Sequence, residues 1–114
     1  MSSLAHRQGL IDFEDLQPER GYSPWRAYCQ LKLAMRMFAL ELQRRSNAQG
    51  WGLLSAASHP GYVRTKLAAK APVARYRLST NGLMFLPLLS QSAEEGALPA
   101  LFAATAPDAR PGGY

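Results

Sequence analysis

An α/β domain built around a parallel sheet, of which this chain holds only part, is the fold class the sequence predicts. Three observations lead there. From Pro24 onward, apolar residues fall at Ala27, Leu31, Ala34, Met35, Phe38 and Leu42, the period of about 3.6 that marks an amphipathic helix. A short apolar run, Trp51 to Ser58, follows; its length favours a buried strand of a parallel sheet over a helix. Pro60 and Gly61 then turn the chain, so that helix, strand and turn make the second half of a βαβ crossover. A parallel sheet needs several strands, yet only one is complete here. Either the fold is unusual, or the rest of the sheet lies outside these 114 residues.

Taken in order, the first three residues are at most the stump of a strand. Residues 5–23 hold Gly9, Pro18, Gly21 and mixed charges, and read as a long loop. Ser23-Pro24 starts the long helix: serine can cap, and proline at the first helical position gives up an N–H that would be unpaired anyway. Gly50 closes that helix after Asn47, giving about six turns. Beyond the strand, residues 67–77 are ambiguous and broken by Pro72. Ser79–Leu89 and Ser92–Ala104 read as helices, and Pro107–Gly113 as a turn-rich tail.

The composition is that of a single partial domain spanning residues 1–114, with 47% apolar and 18% charged residues, an ordinary globular balance. One cysteine, Cys29, excludes an internal disulfide and fits a reducing, cytoplasmic compartment. The N-terminus has no apolar core for a signal peptide. The longest apolar run, Leu83–Leu89, is interrupted by Pro87 and far too short to span a membrane. The net charge of +5 comes from scattered residues, with Glu41, Glu94 and Glu95 among them. No zinc-finger spacing, basic zipper or RNA-binding aromatic signature accompanies it, so the charge reads as a solvated surface and no nucleic-acid partner is expected.

Within the long helix, "AYCQLK" places Tyr28 and Lys32 four residues apart, hence on one face and about 6 Å apart along the axis. A free phenol titrates near 10, too high for efficient acid–base work at neutral pH, and a neighbouring ammonium favours the phenolate. Such a pair can give a proton to, or take one from, an alcohol or carbonyl oxygen. The same spacing also arises from a half-buried ring beside a lysine that snorkels to water, so the pair alone does not establish a site.

Its context is more specific. "SSLAHRQG" and "IDFEDLQ" precede "YCQLK", and the strand after it ends in "HPGYVRT". These ordered blocks, covering most of residues 2–65, resemble the short-chain dehydrogenase/reductase superfamily. More narrowly, they resemble the branch that contains retinol dehydrogenases, the WW-domain oxidoreductase and protochlorophyllide reductase. The resemblance implies the C-terminal part of a doubly wound, Rossmann-like α/β domain. It also implies an oxidoreductase that moves a hydride between NADP or NAD, with NADP favoured, and a small-molecule alcohol or carbonyl. Tyr28 would be the general acid/base. Lys32 would lower its pKa and bond the cofactor ribose. Ser3, 25 positions before the tyrosine, would hydrogen-bond the substrate oxygen, with Ser2 the lesser candidate. Tyr28, Lys32, Pro60, Gly61, Val63 and Thr65 would line the nicotinamide end of the cofactor, where open α/β sheets bind ligands. His6 and His59 are given no catalytic role, and Cys29 needs none. One departure is Leu31, where the family usually has a serine before the lysine.

The superfamily's glycine-rich turn, which meets the pyrophosphate after the first strand, is absent. The nearest look-alike, Gly50-Trp51-Gly52, lacks the third glycine and precedes a strand instead of following one. The family's Asn-Asn-Ala-Gly segment is also missing. By resemblance, roughly four strands with their helices are expected to lie outside this sequence, with the last strand cut at Tyr114. No metal site is expected. A second reading, a non-enzymatic remnant or a module that associates with another chain, stays open at this stage.

Overall fold

In the computed structural model the described residues are 1–61, 63 and 91–114. They form a 3-10 helix at Leu4–Gln8, a long helix α1 at Pro24–Gln49 and a second helix α2 at Ala93–Thr105. The two segments at 67–77 and 79–89 lie outside the described residues, as do Tyr62, Arg64 and Thr65.

Helix α1 has the start and stop its sequence announces. Pro24 occupies the first turn after an extended Ser23, and Gly50 ends the helix at φ 64°, donating its N–H to the Ser46 carbonyl. The Ser23 side chain makes no capping bond, so proline alone marks the start. The helix runs 26 residues, a turn longer than the apolar pattern implied. Helix α2 begins with a full capping box. Ser92 Oγ accepts from the Glu95 N–H at 3.1 Å, and Glu95 Oε2 accepts from the Ser92 N–H at 2.8 Å. The expected tail is there too, with turns at 107–108 and 111–112. The expected loop at 5–23 is only partly a loop, since Ser3 caps the 3-10 helix at its start.

Among the described residues there is no strand, but there are three extended segments side by side. Residues 55–58 lie in the middle. On one side the Ser2 N–H donates to the Ser58 carbonyl at 2.7 Å. On the other, the Gly112 N–H donates to Ser55 at 2.8 Å and the Ala57 N–H to Gly113 at 2.9 Å, so these two segments run in the same direction. In a regular parallel ladder one residue would make both of the latter bonds. Here they are split between Gly112 and Gly113, just after a turn in which Gly112 takes φ 71°, and the ladder does not propagate. Trp51, Leu53 and Leu54 are each about half exposed and Gly52 takes φ 68°, so the run that reads as a buried strand is neither a strand nor buried at its start.

Polar side chains of α1 take over the pairing that a neighbouring strand would supply at 53–55. Ser46 Oγ donates to the Leu53 carbonyl and accepts from the Leu53 N–H, both at 3.0 Å. Gln43 Oε1 accepts from the Ser55 N–H at 2.7 Å, and its Nε2 reaches Leu53. Both residues are buried for this reason, while Leu31, Met35 and Phe38 on the apolar stripe stay exposed. No helix among the described residues is long and apolar enough to cross a membrane.

Candidate active site

Tyr28 and Lys32 share a face of α1, with the Lys32 ammonium 5.5 Å from the centre of the tyrosine ring. Trp25, one turn earlier, stacks on Tyr28 at 5.8 Å and 27°. Its indole N–H donates to Gln8 Oε1 at 3.2 Å, which fixes the ring pair against the end of the 3-10 helix. Tyr28 itself remains 39% exposed.

Two bonds bring the N-terminal segment to this pair. Ser2 Oγ donates to the Lys32 carbonyl at 3.0 Å, and Lys32 Nζ donates to the Met1 carbonyl at 3.4 Å. Ser2 is buried, and its backbone is the one that bonds Ser58. Ser3, next along, is extended at φ −158° and ψ 154°, and its Oγ accepts from the Ala5 N–H at 3.3 Å. A hydroxyl that accepts in this way keeps its own hydrogen to donate elsewhere. The serine assigned to the substrate oxygen is thus oriented by the start of the 3-10 helix, and its neighbour is the structural anchor.

Gly9 makes the close approach possible. A Cβ placed there would lie 2.5 Å from the Cys29 carbonyl oxygen and 2.9 Å from Leu33 Cβ, so only glycine lets the segment rest on the α1 backbone. Cys29 is buried beneath it, and that burial pushes its thiol pKa up, away from the reactive thiolate.

The turn at residues 59–61 continues from Ser58. Gly61 takes φ 69°, a left-handed conformation suited to glycine, and its N–H donates to His59 Nδ1 at 3.1 Å. Pro60 and Gly61 line a cavity of about 860 Å³ that also touches Leu98, Phe102 and Tyr114. Neither Tyr28 nor Lys32 lines it, so the cavity belongs to the turn and α2, while Lys32 bonds the N-terminal segment. Val63 forms an isolated parallel bridge with Gln91 and packs where a side chain on Gly96 would otherwise stand. Thr65 lies outside the described residues.

Three residues that the sequence reading passed over hold these segments together. His6 is buried and contacts Ser3, Arg36 and Tyr114. Their separations in sequence, 30 residues to Arg36 and 108 to Tyr114, leave no local signal by which to find them. Among the described residues there is no group of three or more His, Cys, Asp or Glu that could hold a metal.

Its similarity to curated dehydrogenases over nearly all of its length shows that the chain belongs to the short-chain dehydrogenase/reductase family. It is 39% identical over 108 residues to the polyprenol dehydrogenase of Mus musculus, an alignment covering 95% of this chain and 31% of that protein. Retinol dehydrogenase 13 of Homo sapiens is 42% identical over 109 residues, covering 93% and 32%. Retinol dehydrogenase 12 of Homo sapiens is 40% identical over 111 residues, covering 97% and 33%. The chain therefore spans about a third of the length of the curated relatives it matches. A crystal structure of an uncharacterised protein from Mycobacterium paratuberculosis superposes with a TM-score of 0.64 at 41% identity, covering 91% of this chain and 31% of the other. No protein-family model matches.

Proposed function

We propose that this chain supplies the proton-transfer half of an NAD(P)-dependent oxidoreductase that interconverts an alcohol and a carbonyl, with NADP favoured over NAD. The observation that carries the reading is the Tyr28–Lys32 pair, with the ammonium 5.5 Å from the ring and anchored on the segment that bears Ser3. The names of the relatives, retinol and polyprenol dehydrogenases, support a small-molecule alcohol or aldehyde as substrate. A reducing, cytoplasmic setting is in keeping with a single buried, unpaired cysteine.

In this reading Tyr28 Oη gives its proton to a carbonyl oxygen on reduction, or takes one from an alcohol on oxidation. Ser3 Oγ, with its hydrogen available, donates to the same oxygen and fixes its direction. Lys32 supplies positive charge beside the tyrosine and a donor for a ribose hydroxyl. The nicotinamide, when bound, supplies or accepts the hydride. The left-handed Gly61 and the cavity beside Pro60 support a place for the nicotinamide end, and the resemblance adds Val63 and Thr65 to the residues that would hold it. The 114 residues contain no glycine-rich turn for the pyrophosphate, so the cofactor's other end needs groups that are not in this sequence.

The test is reduction of retinaldehyde by NADPH in the intact protein, with Tyr28→Phe as the variant. Loss of the transferable proton should lower kcat on the order of a hundredfold or more, with NADPH affinity little changed. A Tyr28→Phe protein that retains its kcat would remove Tyr28 from the reaction. Absence of turnover in the unsubstituted protein would favour the reading as a non-enzymatic module that associates with another chain.

A further inference from the structure

His6 is buried where the segments bearing the candidate residues meet. Its Nδ1 lies 2.7 Å from the Ser3 carbonyl oxygen, and its Nε2 lies 2.6 Å from Arg36 Nη1. A carbonyl can only accept and a guanidinium can only donate. The two contacts therefore fix the ring: Nδ1 carries the hydrogen, and Nε2 is a bare acceptor. Moving the hydrogen to Nε2 would set donor against donor at Arg36 and acceptor against acceptor at Ser3.

The other members extend the same grip. Tyr114 Oη lies 3.2 Å from Nδ1 and shares its hydrogen as a second acceptor. The Tyr114 ring meets His6 edge-on at 4.9 Å, carries the Arg36 guanidinium over its face at 4.3 Å, and lies 5.2 Å from His59. Arg36 stands four residues beyond Lys32, as Lys32 does beyond Tyr28, so the cluster holds α1 on the face that carries the pair. His59 opens the turn of Pro60 and Gly61.

We propose that His6 is a positioning residue: it sets the Ser3 backbone against the Tyr28–Lys32 face of α1 through Arg36, and ties both to the Pro60–Gly61 turn through Tyr114. The assignment rests on the oxidoreductase reading, in which His6 itself touches neither substrate nor cofactor. The two ring nitrogens have separate duties, so two substitutions divide them. His6→Asn keeps a donor close to the Nδ1 position and loses the acceptor for Arg36. His6→Gln keeps an acceptor close to Nε2 and loses the donor to Ser3.

The first measurement needs no turnover. The imidazole ¹⁵N spectrum of the intact protein should show His6 protonated at Nδ1 and bare at Nε2, and protonation at Nε2 would overturn the proposal. The second is the ¹³C shift of the Ser3 carbonyl, which should move in His6→Gln and hold in His6→Asn. In retinaldehyde reduction by NADPH, His6→Gln should lower kcat on the order of ten- to a hundredfold, the scale of a displaced reacting group, with the KM for NADPH unmoved. His6→Asn, which keeps the bond to Ser3 and loses the one to Arg36, should lower kcat by a smaller factor. Equal effects of the two variants would reduce His6 to general packing. Failure of the oxidoreductase reading shows separately, as turnover retained in Tyr28→Phe alongside the expected His6 tautomer.

Discussion

Replacing Gly9 with alanine separates two opposing effects of known size. Gly9 sits at φ −77° and ψ 144°, a conformation that any L-residue adopts, so backbone strain plays no part. At such a position Gly→Ala ordinarily stabilises a protein by roughly 0.4–1 kcal/mol, because the unfolded chain has less freedom to lose. Here the added Cβ would lie 2.5 Å from the Cys29 carbonyl oxygen, against an ordinary C···O contact of about 3.3 Å. The neighbour is helix backbone, held by the α1 hydrogen bonds on either side, so the segment and not the helix must give way, by about 0.8 Å. Overpacking of this kind costs about 1–3 kcal/mol, which exceeds the entropic gain and leaves a net destabilisation of about 1–2 kcal/mol. The shift also lifts the 3-10 helix that Ser3 caps, so turnover should fall together with stability. Urea unfolding of the intact protein, followed by tryptophan fluorescence, measures the first; Trp25 stands one turn before Tyr28 and reports locally. An unchanged or raised midpoint would show that the segment does not rest on α1 as described.

The same reasoning gives two further outcomes. Ser46→Ala removes both bonds to Leu53, but Gln43 Nε2 still reaches the Leu53 carbonyl at 3.2 Å, so only the N–H is orphaned and the cost is about 1 kcal/mol. Amide exchange at Leu53 should quicken in that variant. Glu41 accepts from Arg44 and from Arg45, and these bonds hold its pKa at about 2. A carboxylate depressed in the folded state contributes stability above its unfolded value of 4.5, and that contribution is lost as pH falls through about 2. A carboxyl ¹³C titration of Glu41 should show the low value at low ionic strength and a return toward 4.5 in high salt, since the pair faces solvent.

What could be read from the sequence was what depends on near neighbours. The Pro24 start and the Gly50 stop are each decided within a few residues, and both stand, as does the helix expected from Ser92 to Ala104. The burial pattern was much less legible. Gln43 and Ser46 lie off the apolar stripe that the sequence marks, yet they are buried because the segment at 53–55 takes its hydrogen bonds from their side chains. The apolar stripe of α1, which the period marked so clearly, is exposed for the complementary reason: a stripe says which face would be covered, and what covers it is a matter of tertiary partners. His6 was lost in the same way. A histidine in a loop shows nothing until residue 36 and residue 114 are folded onto it.

The adjacent serines show how local geometry can divide labour between chemically identical side chains. Ser2 takes the helix: its hydroxyl bonds the Lys32 carbonyl, and its own N–H pairs with Ser58. The Ser3 hydroxyl makes no bond to the helix: it accepts from the Ala5 N–H and keeps a hydrogen to give. The two alanine variants should therefore fail in different ways. In Ser2→Ala the Lys32 carbonyl keeps its bond within α1, so the loss is one buried hydrogen bond, about 0.5–1.5 kcal/mol of stability, with kcat per folded molecule largely intact. In Ser3→Ala the folded state loses little, because only a single exposed-end cap goes. In the proposed role a donor to the substrate oxygen is removed, though, and kcat should fall on the order of a hundredfold. Unfolding midpoints and retinaldehyde turnover, measured on both variants, separate these cases. If Ser2→Ala were the variant that lost turnover at full stability, the roles of the two serines would be exchanged, and the site would have to be rebuilt around the serine that now anchors Lys32.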